Sequence, residues 1–273
     1  MAQQKGLTLV LGTGLLKMAA AIGVVQVLAE ANIPINSVIG ASTGAIYAAM
    51  IALGFSVDQM QHVAMELGSH YASILGGNVN SVLPPSRSLF SGRLSQIPHQ
   101  AILQDAFQDH TFADAQLPLQ LVVTNFLTGQ RSVINQGVLL PWLWMSGSIP
   151  GLVPPIKSGG QLFTDGALSD PLPISTADQN NPIIVMVGFE LTPLNEIKTP
   201  MHHLYQTNTI MIRNLLSGQI ALNSLTAHNE IVHLNPRLGV VVDIGETKYI
   251  PFIAEKGAEA AQQIVPYLKN VLS

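Results

Sequence analysis

The sequence contains no cysteine. That excludes disulfides, thiolate metal sites and a cysteine nucleophile, and it fits a reducing compartment. Charge is almost as scarce: Asp, Glu, Lys and Arg make up 10% of 273 residues, against about a quarter in ordinary soluble chains. The formal net charge is -4 and Lys and Arg form no cluster, so a nucleic-acid role has little support. The first residues, MAQQKGLTLVLGTG, lack the charged, apolar and small-residue regions of a signal peptide. The expected location is cytoplasmic, with peripheral contact at a membrane. Two long stretches, Ala31–Val57 and Ser132–Ile156, carry no charge at all. Either is long enough to span a bilayer. Pro34, Gly40 and Gly44 interrupt the first, and Pro141, Pro150, Pro154 and Pro155 the second, so buried α/β core is the better expectation.

What is present is apolar sequence, 48% of the chain. It implies a large buried core, or a surface that meets lipid or a partner. Leu7–Leu11 reads as a strand buried on both faces. Gly12-Thr13-Gly14 reads as a turn, Lys17–Glu30 as a helix, Ser37–Ala41 as a strand and Gly44–Leu53 as a helix. Val57–Leu67 reads as a further helix. This β-α-β-α order predicts a parallel sheet. One domain, residues 1-273, around a mainly parallel sheet is the simplest expectation. Strands are also expected at Leu119–Asn125, Gln130–Asn135 and Ile183–Phe189, with a late one at Glu230–Asn235 or Val240–Ile244. Helices are expected at Pro98–Phe107, His202–Leu222 and Ile253–Asn270. The segment 68-98 is rich in Ser, Gly, Asn and Pro and reads as an irregular lid or substrate-access segment.

The chemistry-bearing stretch is SVIGASTGAIYAAM, Ser37 to Met50. A nucleophilic serine needs an exposed hydroxyl beside a base and beside oxyanion donors. A tight strand-turn-helix supplies that geometry only if the residues two before and two after the serine are small, here Gly40 and Gly44. The helix that follows then aims its free N–H groups at the oxyanion. The other reading of Ser42 is a small residue where strand and helix pack closely. The helix AIYAAMIAL is apolar on all faces and is expected to be buried.

None of the eight histidines sits in a pattern that marks a catalytic base. Asp165, in QLFTDGALSDPLP, ends a short apolar strand, and Gly166 after it permits a turn closed to other residues. A carboxylate there can accept the Ser42 proton; equally, Asp165 and Asp170 can be turn formers. A dinucleotide fingerprint at Gly12-Thr13-Gly14 fails, because Lys17 stands where the third glycine belongs and no acid ends the second strand.

Several blocks together resemble the patatin-like phospholipase family. GASTGA is similar to its Gly-x-Ser-x-Gly elbow, and TDGALSDPLPI to its Asp-Gly-Gly/Ala block. SGSIPGLVPPI resembles the segment before that block, and VTNFLTGQ the family's Thr-Asp-x-x-Thr-Gly hairpin. LFSGRLSQIPHQAILQDAFQDHTFADAQLPL resembles the stretch between the catalytic halves. Order and spacing agree from about Leu7 to Leu268. The resemblance implies a three-layer α/β/α sandwich with a mainly parallel central sheet, and an acyl hydrolase of lipid esters that uses a Ser42–Asp165 dyad, with no metal, cofactor or histidine. It implies oxyanion donors near Gly14, Leu15 and Thr43, and Lys17 as the loop's basic residue. The implied partner is a lipid or acyl-ester substrate.

Two departures stand out. The family's loop is Gly-Gly-Gly-x-Arg/Lys-Gly; here Gly14 falls on the middle glycine and Lys17 on the basic position. Thr13, Leu15 and Met18 replace the other glycines, unless a shifted loop uses Gly12 and Gly14. Leucine is not expected to adopt a φ > 0 conformation readily. Asp170 stands where the family often has Asn. Two alternatives follow. One is a non-catalytic lipid-binding or regulatory domain. The other is a Ser-His-Asp esterase using Ser42, Asp165 and His228 or His233.

Overall fold

The computed structural model describes residues 5–76, 98–150, 153–178, 183–189, 196–197, 200–226, 229–240, 242 and 246–273. Residues 77–97 of the expected lid segment lie outside the described residues, as does His228.

Strand β1 (Leu7–Leu11) is buried along its whole length, as a strand covered on both faces requires. After it a 3-10 turn (Leu15–Ala19) leads into helix α1 (Ala20–Glu30), so the helical start expected at Lys17 is a tighter turn first. Strand β2 (Ile35–Ala41) feeds directly into helix α2 (Thr43–Ala52), all ten residues of which are buried. Helix α3 (Val57–Gly76) runs beyond Leu67, so the irregular segment does not begin at Gly68. Helix α4 (Pro98–Phe107) precedes the hairpin of β3 (Leu119–Asn125) and β4 (Arg131–Ile134). The hairpin turn is closed by Asn125, whose Oδ1 accepts from the N–H groups of Leu127 and Thr128.

Helix α5 (Leu139–Ser146) was not expected from the sequence. Pro141 lies in its first turn, where a missing N–H costs no intrahelical bond. The hairpin of β5 (Ile156–Ser158) and β6 (Gln161–Asp165) follows, then β7 (Ile183–Val187), α6 (Pro200–Thr226), β8 (Glu230–Leu234) and α7 (Ile250–Leu272).

The sheet is mixed around a parallel centre. β3, β2, β1, β7 and β8 are parallel neighbours in that order, while β4 and β6 pair antiparallel with β3 and β5 with β6. Alternate residues of the central strands face two apolar layers. Leu7, Leu9 and Leu11 face a large core with helices α1, α2, α3, α5 and α7. Val10, Ile39 and Ile184 face a smaller one with Leu172, Ile174 and Leu216 of α6. The three layers are therefore unequal: the second is α6 and the segment around Leu172–Ala177. Among the described residues no helix is long and apolar enough to cross a membrane.

One detail of register positions the site. Leu121 and Val122 pair with both β2 and β4, and Val123 and Thr124 with both β4 and β6. A strand has only two edges. β2 and β6 therefore share the edge opposite β4 and meet end to end, Ala41 opposite Val122 and Asp165 opposite Val123.

Candidate active site

Ser42 follows the last residue of β2, and Asp165 is the last residue of β6, so the end-to-end meeting brings them together. Ser42 Oγ donates to Asp165 Oδ2 at 3.0 Å. Both are almost closed to solvent, with 2% and 3% of their surface exposed. The other carboxylate oxygen, Oδ1, accepts the Ala167 N–H at 2.8 Å. Burial disfavours the charged form and pushes the Asp165 carboxyl up to about 7, against the lowering effect of its bonds from Ala167 and Ser42. Thr124 Oγ1 donates to the Asp165 carbonyl at 2.7 Å, which ties β6 to β3 at that level.

The backbone at Ser42 is strained, with φ 57° and ψ -133°. Non-glycine residues reach such a conformation only when their surroundings force it. The forcing contacts are visible. A Cβ on Gly40 would lie 2.5 Å from Ala45 Cα, and one on Gly44 would lie 2.3 Å from the Leu11 carbonyl oxygen. Both sites require glycine for lack of room. Gly44→Ala is expected to cost about 1–3 kcal/mol by overpacking, because its obstacle is backbone; chemical denaturation measures this, and an unchanged midpoint contradicts it. Gly166 is likewise glycine for space. It is not in the left-handed region expected of its turn; a Cβ there would sit 2.2 Å from the Val122 carbonyl oxygen.

The Ser42 N–H is occupied. It donates to Ser146 Oγ at 2.9 Å, and Ser146 Oγ donates to the Val122 carbonyl at 2.7 Å. Ser146 sits on α5 and is fully buried. Sequence reasoning assigned it no role, although it opens the block SGSIPGLVPPI and closes an otherwise apolar run. The Thr43 N–H opens α2, where helix geometry provides no acceptor.

In the loop after β1, whose Leu11 and Gly12 carbonyls approach Gly44, the Lys17 N–H donates to the Gly14 carbonyl as the first bond of the 3-10 turn. The N–H groups of Gly14 and Leu15 precede that bond and have no acceptor within the turn. Leu15 has φ 49°, contrary to the expectation that leucine would resist such a conformation. Its half-buried side chain packs on the main core. Left-handed backbone costs a non-glycine residue about 1–2 kcal/mol. The loop thus keeps a glycine-like conformation without the glycine. The Lys17 side chain is half-buried.

The histidine alternatives are placed differently. His233 lies on β8, three strands from β2 and so roughly 14 Å across the sheet. It bonds to backbone near Gly188, and desolvation lowers its pKa.

A buried serine–carboxylate pair at the carboxyl end of the parallel strands, with the serine on a strained strand-to-helix turn, defines the class as an α/β protein. The family model for patatin-like phospholipases matches residues 9–178, more than half of the chain. The chain belongs to the patatin-like phospholipase family. It is 28% identical over 173 residues to patatin-like phospholipase domain-containing protein 7 of Rattus norvegicus, covering 63% of this chain and 12% of that protein. It is 29% identical over 227 residues to an uncharacterized NTE family protein of Mycobacterium tuberculosis, covering 78% of this chain and 35% of that protein. The chain therefore spans about a third or less of these curated relatives. The crystal structure of VipD from Legionella pneumophila shares the fold, with a TM-score of 0.53 at 16% identity over 97% of this chain and 67% of that one.

Proposed function

We propose that this chain is a single-domain serine acyl-ester hydrolase acting on lipids, with Ser42 as nucleophile and Asp165 as base. The observation that carries the reading is the buried hydrogen bond from Ser42 Oγ to Asp165 Oδ2 at 3.0 Å. A base poised near the working pH is the most useful one, and an Asp165 carboxyl raised to about 7 meets that condition. Asp165 takes the Ser42 proton as Oγ attacks the ester carbonyl. The N–H groups of Gly14, Leu15 and Thr43 hold the developing oxyanion. Collapse expels the alcohol, which leaves with the proton held by Asp165. Water then attacks the acyl-enzyme and gives its proton to Asp165, and the acid is released as Asp165 returns that proton to the leaving Ser42 Oγ. Lys17 adds positive field beside the loop. Exposed Phe126 and Leu127 on the β3–β4 hairpin support peripheral contact with lipid.

Fluorophosphonate treatment of the intact protein tests the reading: one adduct is expected, on Ser42. Turnover of a soluble ester is expected to rise with pH through a midpoint near 7 and then level, because only ionised Asp165 accepts the proton. An unlabelled protein in an assay that labels other serine esterases would favour the non-catalytic lipid-binding alternative. Loss of activity in a single histidine variant would favour the triad.

A further inference from the structure

A second carboxylate near the site is just as buried and has no place in the chemistry above. Asp170 is 2% exposed. Its Oδ2 accepts from Arg131 Nη1 and its Oδ1 from Gln219 Nε2 at 2.9 Å. Its own N–H donates to the Gly166 carbonyl at 2.9 Å. Arg131 also donates to Ser175 Oγ at 2.6 Å. Arg131 lies on β4 and Gln219 on α6, so Asp170 ties two separate elements to the loop that leaves β6. A buried carboxylate needs such partners, because an uncompensated charge there is strongly unfavourable.

The next residue gives this network a consequence. The Pro171 carbonyl accepts the Thr13 N–H at 3.0 Å, and a Cβ on Gly12 would lie 2.7 Å from the same oxygen. Pro171 is therefore the direct support of the loop that carries Gly14 and Leu15. Leu15 sits in left-handed backbone, which persists only where surrounding structure over-determines it. The bond from Thr13 to Pro171 is such an outside constraint. One short segment thus has Asp165 at its start and, at its end, the carbonyl that the Thr13 N–H bonds.

We infer that the Arg131–Asp170–Gln219 network is a positioning device for the oxyanion donors: it fixes the Pro171 carbonyl against Thr13 and so holds the Gly14 and Leu15 N–H groups in place. This rests on the acyl-hydrolase reading. None of the three side chains is assigned a contact with substrate.

The test compares wild type, Asp170→Asn, Arg131→Gln and the double variant on a soluble p-nitrophenyl ester, with kcat referred to the serines that fluorophosphonate titrates. Asparagine keeps the shape of Asp170 and removes its charge, while Arg131, partly exposed, can hydrate. A displaced loop of about 1 Å predicts a kcat loss of about 10- to 100-fold, with KM within twofold and the acid limb of the pH profile unmoved. The double variant is expected to lose no more than the worse single variant, since the residues act as one unit. Should Asp170→Asn not accumulate as folded protein, Arg131→Gln carries the readout alone, because it removes the charged donor and leaves the Gln219 bond to Asp170 in place. If titrated kcat stays within twofold of wild type while only the melting temperature falls, the network is structural and the inference is overturned. A shifted acid limb also overturns it, because the network would then act on Asp165. Wild-type protein that neither turns over ester nor labels refutes the hydrolase reading itself, a result distinct from active wild type with unaffected variants.

Discussion

Replacing Ser42 with alanine is expected to lower ester turnover by about 10⁴-fold or more and to abolish fluorophosphonate labelling. In the proposed mechanism the attacking group is Ser42 Oγ, which is bonded to Asp165 Oδ2 at 3.0 Å. Folding is expected to survive. The backbone strain at position 42 is set by Gly40 and Gly44, which the change leaves in place, and the Asp165 carboxyl keeps its bond from Ala167. The melting temperature should therefore move by only a few degrees. A variant that retains more than a hundredth of wild-type turnover contradicts Ser42 as nucleophile, and one that fails to fold calls for Ser42→Gly, which relieves the positive φ.

The second large effect is double-edged. Asp165→Asn is expected to lower turnover by about 10³-fold or more, yet to leave the protein more stable than wild type at high pH. An ordinary unfolded aspartate titrates near 3.9, whereas burial pushes Asp165 up to about 7 in the fold. Between those values the folded state holds a proton that the unfolded state has released. Stability from the protonated carboxyl is complete below about pH 4 and is lost as pH rises through 7. The loss is on the order of 4 kcal/mol by linkage. Asparagine cannot ionise, so its curve lacks this fall. Denaturation of both proteins from pH 4 to pH 8 measures the divergence; parallel curves contradict the raised carboxyl.

The sequence made parts of this arrangement legible for physical reasons. Leu7–Leu11 announced a buried strand because no polar residue larger than Thr8 interrupts it. Gly40 and Gly44 marked a tight turn because only backbone fits beside backbone there. Asp165 was readable as a strand-end carboxylate. What it touches was not, because the contact spans 123 residues and depends on β6 meeting β2 along β3. Helix α5 escaped because Pro141 looks like a breaker until its place in the first turn is known. Ser146 escaped with it. Leu15 was misjudged because intrinsic backbone preference opposed a conformation that the folded chain holds with the side chain packed on the main core. Arg131 carried no local signal, since its partner lies 39 residues away in the loop that leaves β6.

The shared edge of β3 also bears on how the protein is assembled. Neither Ser42 nor Asp165 reaches the other through a local turn; each is delivered by a separate pairing with one strand. Closing such distant segments is entropically slow and rewards the chain only at the end. An intermediate with β1, β2 and α2 in place would contain a formed elbow and no base. Regain of catalytic activity after denaturation would then lag behind regain of helical signal, and the lag would time the docking of the β5–β6 hairpin.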